Sequence, residues 1–170
     1  EFNIRSDQNI FLYQGGLSKG RGIELMIQVF ESFKSDDNIL IFMGFGQLET
    51  LIKEKARLSK NIFFKPAVSS DILLEYTNSS DYGVSFIEDS CLSYRYCLPN
   101  KLFEYLMAGI PVLVSNLYEM KNLVEQYQIG IVATSNSVKG FTKSIEESLN
   151  QDYLRIVENV KINKLVKTKI

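Results

Sequence analysis

Short apolar runs alternate along this chain with stretches whose apolar residues fall at helical spacing, and no other feature limits the fold as tightly. Ile10–Tyr13, Asn38–Met43, Asn61–Phe64, Asp81–Phe86, Pro111–Ser115 and Gly130–Ala133 read as strands. Most are nearly continuous in apolar side chains, the mark of parallel strands buried on both faces. Between them, Ile23, Met26, Ile27 and Phe30 mark one helix, Leu48, Leu51, Ile52 and Lys55 a second. Ile72, Leu73 and Tyr76 mark a third, which Ser69-Ser70-Asp71 is expected to cap. Asn116–Gln128, Val138–Leu149 and Tyr153–Leu165 give three more, the last two expected to be amphipathic. This alternation predicts an α/β domain, Rossmann-like and three-layered, with about six parallel strands. At 170 residues, 45% of them hydrophobic, the chain suits one domain over 1–170, with Glu1–Gln8 reading as a linker or cut end.

Leu98–Val114 is the stretch around which a site can be argued. It predicts a helix of about two and a half turns that runs straight into a buried strand. Asn100 is expected to cap the helix, Gly109 to supply its left-handed end, and Pro111 to prevent continuation. Lys101 then places a positive charge in the first turn, where the helix dipole is already positive. Glu104 stands one turn on, on the same face. A surface ion pair accounts for these two residues; so does a bound anion facing the helix amides and Lys101, with Glu104 accepting from ligand hydroxyls.

Gln14-Gly15-Gly16-Leu17-Ser18-Lys19-Gly20-Arg21-Gly22 follows the first strand and opens the first helix. Glycines let backbone amides approach a ligand closely, although a tight structural turn needs them as well. Gly44-Phe45-Gly46 closes the second strand, and the polar loop Ile87–Cys97 follows the fourth. In a doubly wound sheet these loops and the start of the Asn100 helix gather at the carboxyl edge, where ligands bind.

Composition removes several functions. The net charge of −1 gives no basis for nucleic-acid binding. The chain has no His and only two cysteines, Cys91 and Cys97, which excludes the usual zinc sites and any His-dependent triad. A disulfide between them is one reading; two buried or half-buried free thiols are the expected one. No apolar run is long enough to span a membrane. Lys161, Lys164, Lys167 and Lys169 form a basic tail that reads as a solvated helix face or as a contact with an anionic membrane.

Pro99-Asn100-Lys101-Leu102-Phe103-Glu104-Tyr105, followed by Ala108-Gly109-Ile110-Pro111-Val112, resembles the signature of retaining GT-B glycosyltransferases, the family with glycogen synthase-like and capsule-building members. The resemblance extends to Gly15, Leu17, Arg21 and Gly22, where the family has Gly-Arg-Leu-x-x-x-Lys-Gly, and to Gly44-Phe45-Gly46. It implies the C-terminal, donor-binding half of a GT-B fold, with the N-terminal acceptor domain outside this chain. It further implies sugar transfer from a nucleotide-sugar donor, with retention and without a metal ion, to a glycan or lipid-linked acceptor in surface polysaccharide synthesis. Arg21 and Lys101 would carry the diphosphate charge as catalytic groups. Gly15, Gly16, Gly44, Asn100 and Leu102 would line the nucleotide, and Glu104 would hold the ribose. A cytoplasmic setting, in contact with the inner membrane face, follows from such acceptors.

Two positions depart from the family. Gly16 replaces the family Arg, leaving Lys19 as the basic residue that can reach round. Tyr96 stands where the first carboxylate of a Glu–seven residues–Glu pattern ending at Glu104 would fall, with Glu88 and Asp89 nearby. A nucleotide-sugar 2-epimerase shares the architecture, and a degenerate, non-catalytic interaction domain would tolerate both departures. A flavodoxin- or receiver-like domain would need an acidic cluster where this chain has Gly15 and Gly16.

Overall fold

The structure, a computed structural model, describes residues 2–150 and 152–167, and side chains as far as residue 163. Along the chain come β1 (Asn9–Gly16), α1 (Ile23–Ser32), β2 (Asn38–Phe45), α2 (Glu49–Leu58), β3 (Ile62–Pro66), α3 (Ser70–Asn78) and β4 (Tyr82–Ser85). There follow α4 (Leu92–Arg95), α5 (Asn100–Ala108), β5 (Val112–Val114), α6 (Tyr118–Tyr127), β6 (Gly130–Val132), α7 (Val138–Asn150) and α8 (Tyr153–Lys167). The strands form one parallel sheet in the order β3-β2-β1-β4-β5-β6.

Alternate side chains of each strand feed two cores. Phe11, Tyr13, Leu40, Phe42 and Val84 meet α1, α2 and α7 through Met26, Phe30, Ile52, Phe141 and Ile145. Leu12, Met43, Val112 and Val114 meet α3, α5, α6 and α8 through Tyr76, Leu102, Tyr105, Met120, Val124 and Val160. Both faces are covered, which is why the strand runs lack polar alternation. The expected three-layer Rossmann-like fold is therefore the one observed.

Chain order reverses between β1 and β4, and the two strands part there. β1 pairs with β2 from Asn9↔Asn38 to Gly16↔Phe45, but with β4 only at Phe11↔Tyr82 and Leu12↔Gly83. The phenol of Tyr105, from α5, enters the gap. Its hydroxyl accepts from the Gln14 N–H at 3.0 Å and shares its proton between the carbonyls of Leu12 (3.0 Å) and Val84 (3.1 Å). The ring lies on Gly83, where a Cβ would come within 2.1 Å of Tyr105 Cγ. Burial accordingly pushes the Tyr105 phenol well above its usual value.

Several local expectations need correction. Asn100 is the first helical residue of α5 and Pro99 the N-cap, with no side-chain capping bond. Pro99 holds an extended backbone there and leaves the helix amides uncapped. Ser69 occupies the cap position of α3, also without a side-chain bond. The loop after β4 contains α4, a single turn too short to show a period. α8 is not amphipathic: Ile156 and Val160 are buried, whereas Leu154 and Ile162 are exposed. Residues 2–8 pack on the domain, with the Phe2 ring 5.0 Å from Phe63 and Arg5 paired to Asp36 at 3.1 Å. Lys164 and Lys167 lie beyond the described side chains and Lys169 beyond the described residues, so most of the basic tail falls outside them.

Tyr105→Phe should cost roughly 1–3 kcal/mol in chemical denaturation, because it strands the Gln14 amide and two carbonyls. Gly83→Ala should cost about 3 kcal/mol or more, because the new methyl collides with a ring that has nowhere to move. Near wild-type stability in both variants would show that the wedge does not hold the two strands.

Candidate functional site

The separation of β1 and β4 lies at the point where strand order reverses, the place of the crevice at the carboxyl edge of such sheets. Gly15 there faces Lys101 from the start of α5, and the Lys101 Cε would lie 3.7 Å from a Cβ on Gly15. On one side stands the glycine loop. Gly20 and Gly22 both adopt left-handed conformations, and Gly22 is confined further by Phe86, whose carbonyl would meet a Cβ at 1.7 Å. Between them Arg21 is half-buried, its guanidinium 5.2 Å from the centre of the Tyr94 ring. Tyr94 belongs to α4, so the unexpected turn of helix supplies the surface on which Arg21 rests. A bond from the Glu88 N–H to the Gly20 carbonyl, at 3.1 Å, ties the two loops together.

Lys101 reaches in from the other side. It is only 9% exposed, and its Nζ lies 3.4 Å from the centre of the Tyr13 ring. The same atom would lie 3.8 Å from a Cβ on Gly15. Among the described residues Lys101 has no carboxylate within ion-pair distance, Glu104 included. Burial, together with the nearby Arg21 charge, lowers its proton affinity well below the lysine value of 10.5, against a weaker opposing pull from Glu104. Of the two readings of this helix face, the Lys101–Glu104 surface pair is thus absent among the described residues.

Glu104 is half-buried, and its Oε2 accepts from the side-chain amide of Gln14. Gln14 is itself buried, and its Oε1 accepts from the Thr77 hydroxyl at 2.7 Å. The amides of Asn100 and Lys101 begin α5 without a backbone acceptor among the described residues. The Leu102 amide already donates to the Pro99 carbonyl at 3.0 Å, and its side chain is fully buried in the core. Leu102 therefore fixes the helix start.

Of the remaining expected residues, Gly15 and Gly44 pair across β1 and β2, with a Cβ on Gly44 falling 1.9 Å from the Gly15 carbonyl. Gly16 is exposed, and a side chain there would meet nothing within 4 Å. Lys19 is exposed on the loop. Asp89 is spent on Arg95, at 3.0 and 3.2 Å, while Glu88 is exposed at the crevice edge. Tyr96 is exposed too, its ring 5.7 Å from that of Tyr118. Tyr13, Gln14, Thr77 and Tyr94 are the site residues that sequence reasoning did not single out. Cys91 and Cys97 are free thiols, and burial raises the Cys97 thiol above its usual value.

Over residues 1–163 the sequence matches the family Glycosyl transferases group 1, and the chain belongs to that family. Its fold is that of one half of a GT-B glycosyltransferase. WaaG, a glycosyltransferase involved in lipopolysaccharide biosynthesis, is similar with a TM-score of 0.73 at 20% identity, over 95% of this chain and 44% of that one. The catalytic domain of cholesterol-α-glucosyltransferase from Helicobacter pylori gives 0.74 at 18%, over 94% and 98%. HepE of Anabaena, in complex with UDP, gives 0.75 at 15%, over 93% and 44%. The chain thus spans less than half of WaaG and of HepE. No curated protein matches it significantly in sequence. No helix among the described residues is long and apolar enough to cross a membrane.

Lys101 sets a pH dependence whose sign is fixed. Between its lowered native value and 10.5 the unfolded chain binds more protons than the folded one, so this residue makes stability rise with pH. Lys101→Met should therefore stabilise the fold by about 0.5–2 kcal/mol at neutral pH. Its advantage should shrink as pH rises towards 10.5. Parallel denaturation curves with a gap that does not change with pH would refute the assignment.

Proposed function

We propose that this chain binds the diphosphate of a nucleotide-sugar in the crevice between β1 and β4, as the donor half of a retaining glycosyltransferase. One observation carries the reading: Lys101 and Arg21, from different elements, bring two cations to one crevice, and Lys101 is buried without a counter-ion among the described residues. Keeping such a charge out of water costs free energy, and a polyanion between the two repays it. The open amides of Asn100 and Lys101 at the start of α5 add fixed partial charges of the same sign.

In sugar transfer the bond between the anomeric carbon and the diphosphate breaks, and the diphosphate leaves with an added negative charge. Arg21 and Lys101, already in place and poorly hydrated, stabilise that charge more strongly than they stabilise the bound donor. This arrangement needs no metal ion. Glu104 accepts from the ribose hydroxyls of the nucleotide. UDP is the nucleotide bound in the HepE structure and in a solved structure of TarM from S. aureus, which supports a nucleoside diphosphate as the ligand. A glycan or lipid-linked acceptor, as in surface polysaccharide synthesis, would approach through the second half of a GT-B enzyme.

Calorimetric titration with UDP, GDP and their sugars tests this directly. Arg21→Ala and Lys101→Met should each weaken nucleoside diphosphate binding by roughly 1.5–3 kcal/mol and leave the uncharged nucleoside unaffected. Lys101→Met would then be more stable and bind less well, a combination that a structural lysine does not give. No response to any nucleotide would favour a domain that only binds a partner, as the departures at Gly16 and Tyr96 allow.

Restoring the family Arg offers a gain-of-function test. Gly16→Arg has open space around it, so stability should change by no more than about 0.5 kcal/mol. Affinity for the nucleoside diphosphate should rise roughly tenfold, the yield of one charged hydrogen bond. Unchanged affinity would place the phosphates away from the end of β1.

A further inference from the structure

The side chains of Thr77, Gln14 and Glu104 form a chain of hydrogen bonds that joins α3, β1 and α5 beneath the crevice. Gln14 follows directly on the apolar run of β1 and is buried, and Thr77 is wholly buried, so neither is there for solubility. A carboxylate only accepts, so the group of Gln14 that faces Glu104 is its NH2. The opposite end of the amide then needs a donor, and the Thr77 hydroxyl, 2.7 Å away, is the donor present, its one proton shared with the Leu73 carbonyl at 2.8 Å. The order of donors and acceptors along the chain is thereby fixed in one direction.

We infer that Gln14 is a positioning residue for the donor nucleotide. It holds Oε2 of Glu104, fixes the plane of the carboxylate, and leaves Oε1 directed to the ribose hydroxyls. The inference rests on the reading of Glu104 as the ribose-binding group and adds the mechanism that orients it. A free glutamate on the exposed face of a helix samples several rotamers and loses that freedom on binding. Here the loss is met on folding, because the amide and the hydroxyl already define one rotamer. Thr77 extends the control to α3, so the packing of that helix sets the orientation of a group in the crevice.

The test measures affinity for UDP and GDP against that for their 2′,3′-dideoxy analogues by calorimetry, with melting temperature measured in parallel. The ratio of the two affinities reports the ribose contact alone, because loosening of the site lowers both together. Gln14→Met should lower this ratio roughly tenfold while leaving affinity for the dideoxy analogue nearly unchanged. Glu104→Gln should lower it as far, and Gln14→Met with Glu104→Gln no further, since both changes remove one contact. A normal ratio in Gln14→Met beside a reduced one in Glu104→Gln overturns the positioning role and leaves the ribose reading intact. A normal ratio in both variants, or no binding of either nucleotide to the wild type, overturns the two together. Should Gln14→Met fail to fold, Thr77→Val decides the matter. That variant frees the Gln14 amide to turn, so a reduced ratio supports the role and an unchanged ratio refutes it.

Discussion

A single phenolic hydroxyl determines where this sheet opens. Strands β1 and β4 are neighbours, and nothing in their backbones prevents them from pairing along their whole length. Tyr105 prevents it by offering one oxygen that serves the Gln14 amide and the carbonyls of Leu12 and Val84 together. A buried backbone group without a partner is costly, so the strands can part only where a substitute is supplied. Gly83 is the complement of this wedge, because only a residue without a side chain lets the ring lie flat on β4. The crevice and the approach of Lys101 towards Tyr13 both follow from that separation.

The charges in the crevice are arranged at the expense of the fold. Lys101 buries its ammonium against an aromatic face, and Arg21 stands near enough to disfavour its charge further. A cation–π contact offsets some of the desolvation but not the repulsion between the two cations. Glu104, the one acid close by, is engaged by Gln14 and forms no ion pair with Lys101. Fold stability alone would favour the opposite pairing, in which Glu104 neutralises Lys101. That the carboxylate is instead held by a neutral amide keeps the cations unneutralised for an anion.

The fold was legible because its signals are local. Near-continuous apolar strands and helices with one apolar stripe announce a covered parallel sheet whatever the tertiary detail. The start of α5, the glycine loop and the Gly44 turn could likewise be placed at one edge from chain order alone. Side-chain direction could not. The spacing of Lys101 and Glu104 shows a shared face, but whether that face is wet or buried depends on Tyr13 and Gly15, which are remote in sequence. Gln14 carried a signal, a polar residue directly after an apolar run, that periodicity does not interpret. Tyr94 carried none, since α4 is shorter than the period that would reveal it. Leu154 and Ile162 misled in the opposite sense: they suggest an amphipathic α8 but remain on the surface.

The start of α5 departs from the charge preference that other helices of the domain follow. α1, α2, α3 and α6 each carry an acid in the first turn, as the helix dipole prefers. α5 carries none; it has Lys101 there, and its cap residue, Pro99, has no side chain able to accept from the open amides. Three faults at one helix terminus would each lower stability in isolation, and a Ser or Asp cap would remove the last of them. The faults share a consequence, however: Lys101 and the amides of Asn100 and Lys101 are a positive charge and donors, and among the described residues no carboxylate pairs with that charge and no backbone acceptor meets those amides. At the start of α5 the unmet requirement is an acceptor with negative charge, and its place is the gap that Tyr105 holds open.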